Sequence, residues 1–123
     1  MLPRVFADRV QLQQVLINLI KNAIDAMSSV NNRSRILHIQ TEYNHGEVII
    51  SVEDSGAGLT PSDVDNIFAP FFTTKPQGMG IGLSICRSII EIHGGRLWVT
   101  RGSPRGAVFQ FTLPTANPSA SLN

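Results

Sequence analysis

The sequence is poor in cysteine: Cys86 is the only one in 123 residues. One thiol closes no internal disulfide, so a small scaffold held by cross-links is excluded. The chain fits a reducing compartment such as the cytoplasm, with Cys86 read as a small buried apolar residue. Long hydrophobic runs are missing as well. No stretch is long enough to span a membrane, and the opening residues MLPRVFADR lack the apolar centre of a secretion signal. A soluble, cytoplasmic chain without membrane contact is expected, whether a parent protein is soluble or membrane-anchored. Charge of one sign is also absent, with ten Lys and Arg against nine Asp and Glu for a net +1. No basic run or Arg/aromatic alternation marks a nucleic-acid face. What the chain has is 42% hydrophobic content, which at this length supports one domain that buries roughly two-thirds of its unfolded surface.

Periodicity divides that content into elements. From Asp8 to Met27, apolar residues fall at Leu12, Val15, Leu16, Leu19, Ile20, Ala23, Ile24 and Met27, one face of a helix. Asp8 is its N-cap and Gln11 stands in the capping-box position. Leu37, Ile39, Thr41 and Tyr43 alternate with polar residues, NHG turns the chain, and Val48, Ile50 and Val52 alternate again, which predicts an antiparallel hairpin. Thr60, Pro61 and Asp63 open a short helix to about Ile67. After a long loop, a helix beginning at Gly82 is expected to turn Ile85, Cys86, Ile89 and Ile92 inward and Arg87, Ser88 and Glu91 outward. RLWVTR and AVFQFTLP are two last strands, and residues 115–123 read as a disordered tail. The order predicts an α+β fold: a two-layer sandwich whose mixed, mostly antiparallel sheet is covered on one face by helices.

Four stretches could carry chemistry, and each has two readings. Gln14, Asn18, Asn22 and Asp25, with Lys21 beside them, form a polar stripe on the first helix. It is either a solvated face or, since asparagine is a mediocre helix former, a row of neutral amide oxygens suited to a Mg²⁺ shared with phosphates. DSGAG at residues 54–58 is either an Asx-type turn or a strand-end carboxylate facing a pocket for a flat ligand with an exocyclic amine. Gly78, Gly80 and Gly82 precede a helix and are either a flexible hinge or a phosphate cradle. They match neither the dinucleotide fingerprint nor the Walker loop. Before them, IFAPFFTTK places three phenylalanines as core or as the anchor of a lid.

Taken together, NLIKNAIDA at 18–26, DSGAG at 54–58, FAPFFTTK at 68–75 and GMGIGLSI at 78–85 resemble, in order and spacing, the N, first glycine, F and second glycine boxes of sensor histidine kinases. The likeness is to the oxygen- and nitrogen-sensing kinases of two-component systems. It covers residues 6–114 and implies the ATP-binding fold shared with gyrase and related ATPases. On this resemblance ATP and Mg²⁺ are the cofactors. Asn22 is the Mg²⁺ ligand, Asn18 its neighbour at the phosphates, and these two are the residues of the transfer step. Asp54 takes the adenine amino group and Gly56 and Gly58 shape the base pocket. Gly78, Gly80 and Gly82 form an ATP lid hinged at Lys75. Phe72, Thr74, Leu83 and Ser84 complete the set, and Lys21 and Lys75 either neutralise phosphate charge or are solvated. A Gly-Thr pair common in the family is altered to RGAVF, so that Ala107 stands in place of the threonine and a phosphate contact from its hydroxyl is lost.

The acceptor that such kinases phosphorylate, a histidine on a dimerisation helix, has no counterpart in this sequence. His38 falls in a strand, His45 in a turn and His93 at a helix end. The resemblance therefore implies a catalytic portion, itself a monomer, that works with a separate dimerisation domain and, downstream, a response regulator. The alternatives are an anti-sigma-factor-type serine kinase, a gyrase-type hydrolase, and a nucleotide-binding regulatory module without transfer. The first two place a glutamate where Asn18 stands, and asparagine cannot act as a general base.

Overall fold

A computed structural model describes residues 5, 7–28, 30–69, 82–102 and 105–115. Its elements are α1 (Arg9–Ala26), β1 (Leu37–Asn44), β2 (Glu47–Asp54), α2 (Pro61–Asn66), α3 (Gly82–Ile92), β3 (Leu97–Arg101) and β4 (Ala107–Pro114). The strands lie in the order β1-β2-β4-β3, with every pairing antiparallel.

Helix α1 starts where its sequence says, with the Asp8 carboxylate accepting from the Gln11 N–H at 3.0 Å. The reciprocal half of the expected capping box is replaced. The Asp8 N–H donates to His93 Nε2 at 3.0 Å, and His93 Nδ1 lies 2.8 Å from the Ile89 carbonyl. These two partners fix the tautomer, protonated on Nδ1, and the ring ties the start of α1 to the end of α3. Val15, Leu19, Ala23 and Met27 are buried as expected, but Ile24 is 56% exposed. It shares a heptad spacing with the exposed Val10 and Ile17, which puts all three on the opposite side of the helix from the core.

Alternating residues of the sheet meet the helices. Val48 and Val52 of β2 lie beside Leu113 and Phe109 of β4, and Phe111 and Val99 continue the buried layer. On the other face Trp98 Nε1 donates to Gln110 Oε1 at 3.1 Å and Gln110 Nε2 to Ser51 Oγ at 3.0 Å, a polar chain across three strands. The β1 alternation builds a strand but no buried face: it is an edge strand, and every residue of it is exposed. Helix α3 also departs from expectation. Cys86, Ile89 and Ile90 are its buried stripe, whereas Ile85 is exposed and Ile92 is 79% exposed. Ile85 and Ile92 are seven apart and share a face, so replacing Ile90 by that pair rotates the predicted stripe off the core. Helix α2 carries the full capping box, Thr60 Oγ1 with the Asp63 N–H and the Thr60 N–H with Asp63 Oδ2. Thr115, which the sequence assigns to the tail, bridges Val5 and donates its N–H to the Gly46 carbonyl at 3.0 Å.

Candidate functional site

The alternation that turns Val48 and Val52 toward the helices does the same for Asp54, the last residue of β2. Asp54 is 3% exposed, and its Oδ1 accepts from the Gly56 N–H at 2.8 Å. The Asx-type turn is therefore real, and it leaves the carboxylate with further acceptor capacity. Burial pushes the Asp54 carboxyl above its ordinary value of 3.8. The Gly56 N–H and, more weakly, the Ala107 N–H pull it back, and the neighbouring Glu53 adds to the rise.

Two glycines let backbones close around this carboxylate. A Cβ on Gly56 would lie 2.4 Å from the Ala26 carbonyl oxygen at the end of α1, and one on Gly106 would lie 2.0 Å from the Asp54 carbonyl oxygen. Both contacts are shorter than a side chain tolerates. Gly56 is thus fixed by packing against α1, and Gly58 by its φ of +87°. Ala107, at the altered Gly-Thr position, sits at Asp54: its N–H reaches the carboxylate and its side chain is buried.

One further group at this turn has no signature in the sequence. Arg33, in what reads as a run of loop formers, directs Nη1 to the Ser55 carbonyl and Nη2 to the Gly56 carbonyl, the latter at 3.2 Å. Ser55 Oγ accepts from the Ile36 N–H at 2.8 Å and lies 3.3 Å from the Ser34 carbonyl. Loop formers carry no periodicity, so only the tertiary contact exposes this role.

Higher on α1 the polar stripe divides. Gln14, Lys21 and Asp25 are exposed, while Asn18 and Asn22 are half-buried. Asn18 hydrogen-bonds the Cys86 thiol of α3, whose pKa burial raises. Its Oδ1 stands 3.9 Å from where a Gly82 Cβ would lie. The first box therefore meets the start of α3. Leu83 and Ser84 follow in the same first turn, half-buried, with Leu83 packed on the core. Phe68 is partly buried against the core, edge-on to Phe109 with centroids 6.2 Å apart. Phe72, Thr74, Lys75, Gly78 and Gly80, and with them the expected lid, lie outside the described residues.

Asp54 and Asn18 mark two ends of one region. Gly56 abuts Ala26, and from Ala26 back to Asn18 the helix rises about 12 Å, with Asn22 midway. A cleft of about 450 Å³ also touches Asp54, but Arg33, His38, Glu53 and Arg105 line it and none of the helical amides do. No residue of α1 or α3 lines it, so it is not the region between those helices. Among the described residues no group of three or more His, Cys, Asp or Glu could hold a metal by itself. Asn18 at the start of α3 and Asn22 one turn along α1 are neutral amides that suit a Mg²⁺ taking most of its oxygens from phosphate and water.

Residues 7–117 match the family model described as histidine kinase-, DNA gyrase B- and HSP90-like ATPase. The sensor protein FixL of Bradyrhizobium diazoefficiens is 48% identical over 113 residues, which cover 92% of this chain and 22% of that protein. Among solved structures, a nucleotide-free catalytic domain of the histidine kinase ThkA has a TM-score of 0.77 at 45% identity, covering 90% of this chain and 70% of that one. ThkA has also been solved in complex with the response regulator TrrA, with a TM-score of 0.74 at 40% identity over 94% of this chain and 31% of that one. Full-length ShkA in complex with AMPPNP matches with a TM-score of 0.77 at 32% identity, covering 94% of this chain and 24% of that one. The chain thus spans about a fifth of the length of FixL. With the four boxes, the antiparallel sheet under its helices and these likenesses in agreement, the chain belongs to the histidine kinase-, DNA gyrase B- and HSP90-like ATPase family.

Proposed function

We propose that the chain binds Mg·ATP and supplies the γ-phosphoryl group to a histidine on a separate dimerisation domain of a sensor kinase, which then serves a response regulator. The observation that carries the reading is the pairing of a buried carboxylate beside the end of α1 with two half-buried amides one and two turns back along that helix, of which Asn18 meets the start of α3. Asp54 accepts a hydrogen bond from the adenine amino group, and guanine would present a carbonyl there instead. Asn18 and Asn22 face the phosphates. Asn22 would hold the Mg²⁺, whose charge, when bound, offsets the negative charge of the transferring group. Positioning then carries most of the step, since a neutral imidazole acceptor is itself a nucleophile. ShkA binding AMPPNP and ThkA binding TrrA support the nucleotide and the downstream partner. No finding favours the serine-kinase or non-transferring reading, and Asn18 in the place of a base disfavours hydrolysis. Residues up to 114 form the catalytic unit, which is monomeric and cytoplasmic in this reading. Among the described residues no helix is long and apolar enough to cross a membrane.

The test is ATP affinity with and without Mg²⁺ for the wild type and Asn22→Ala. The variant should keep its affinity in chelator and lose most of the Mg²⁺ increment. A full increment in Asn22→Ala would return that residue to a purely structural role.

A further inference from the structure

We infer that Arg33 is a positioning residue for adenine recognition, acting through the backbone that holds Asp54; the inference rests on the nucleotide reading above. Peptide units are rigid planes, so a bond to one edge orients the other. Ser55 C=O and Gly56 N–H belong to one such plane: Arg33 Nη1 donates to its carbonyl, and its N–H donates to Asp54 Oδ1 at 2.8 Å. Gly56 C=O and Ala57 N–H belong to the next: Arg33 Nη2 donates to the carbonyl at 3.2 Å, and the N–H reaches the Ala26 carbonyl at 3.4 Å. Two consecutive peptides are therefore held from both edges, one end on the arginine and the other on Asp54 or α1.

The planar fork of a guanidinium suits this arrangement, since it offers two donors in fixed relation to two successive carbonyls. A lysine ammonium has no such fork. The arm carrying Arg33 is itself braced, because Arg35 donates from Nε to the Val30 carbonyl at 2.9 Å and from Nη2 to the Ser28 carbonyl at 3.1 Å. Without Arg33 the 55–56 peptide is free to tip, and the Gly56 N–H no longer holds the carboxylate in one direction. The phosphate end at Asn18 touches none of these groups.

The experiment compares wild type, Arg33→Ala and Arg33→Lys by calorimetry with Mg·ATP, Mg·GTP and Mg·tripolyphosphate. Arg33→Ala should weaken ATP about tenfold, reduce the ATP-to-GTP ratio by the same factor and leave tripolyphosphate unchanged. Arg33→Lys should recover part of the ratio, and if Arg33→Ala does not fold, Arg33→Lys is read by the same criteria with a smaller loss. Equal weakening of ATP and tripolyphosphate, or an unchanged ratio in a wild type that prefers ATP, overturns the positioning role while leaving the nucleotide reading standing. A wild type with no preference for ATP overturns both.

Discussion

Replacing Asp54 by asparagine should make the fold more stable and the nucleotide site worse. The carboxylate is 3% exposed, and burial is the largest influence on its pKa, which lies above the ordinary 3.8. Asparagine removes the charge and keeps an oxygen for the Gly56 N–H. Between pH 3.8 and the raised value the folded chain holds a proton that the unfolded chain has released. The contribution of Asp54 to stability is therefore full below pH 3.8 and lost as pH rises through the raised value. Asp54→Asn should consequently gain about 0.5–2 kcal/mol over wild type at neutral pH, the range for relieving a functional strain. That gain should vanish in acid. Binding moves the other way. With its oxygen committed to Gly56, the amide turns its NH₂ toward the adenine amino group, and a charge-assisted hydrogen bond of about 1.5–3 kcal/mol is lost. This corresponds to roughly a tenfold to 150-fold weaker ATP affinity. Wild-type affinity should also fall as pH drops through the raised Asp54 value, and the asparagine variant should lack that dependence. Denaturant titrations and calorimetry across pH measure both. An Asp54→Asn chain that is less stable than wild type at every pH, or that binds ATP equally well, would refute the reasoning.

Gly56→Ala should destabilise the fold by about 1–3 kcal/mol in denaturant titration, because its Cβ would sit 2.4 Å from the Ala26 carbonyl oxygen and backbone must shift. Gly82→Ala should be neutral or slightly stabilising, since among the described residues its Cβ would meet only Asn18 Oδ1, at 3.9 Å. A loss of ATP affinity in that stable variant would place the phosphates against the start of α3. His93→Ala should cost about 0.5–1.5 kcal/mol by releasing the Asp8 N–H, with no change in nucleotide affinity by calorimetry.

The parts of the fold written in local pattern were legible. The N-cap at Asp8, the N-cap and proline at Thr60 and Pro61 and the turn at His45 and Gly46 are decided by neighbouring residues, and each stands where the sequence puts it. The stripe on α3 was misread because its helix carries more apolar residues than its core face can hold. Ile85 and Ile92 fit a helical period as well as Ile90 does, and only packing against the sheet selects between them. The β1 alternation was read correctly as a strand, but nothing in it tells an edge from a covered position. Of the proposed site, Asn18, Asn22 and Asp54 are legible in motifs whose order resembles a known family. Arg33 is not, because it acts on carbonyls 22 and 23 residues away that have no side-chain signature.

The most direct test of the central claim is phosphoryl transfer in trans. The chain would be mixed with Mg²⁺, γ-labelled ATP and a dimerisation domain from a sensor kinase that contains this sequence. Acid-labile label is expected on the histidine of the added domain, with its loss in Asn22→Ala and no label on the chain alone. Label on His38, His45 or His93 of this chain, or undiminished transfer by Asn22→Ala, would contradict the claim.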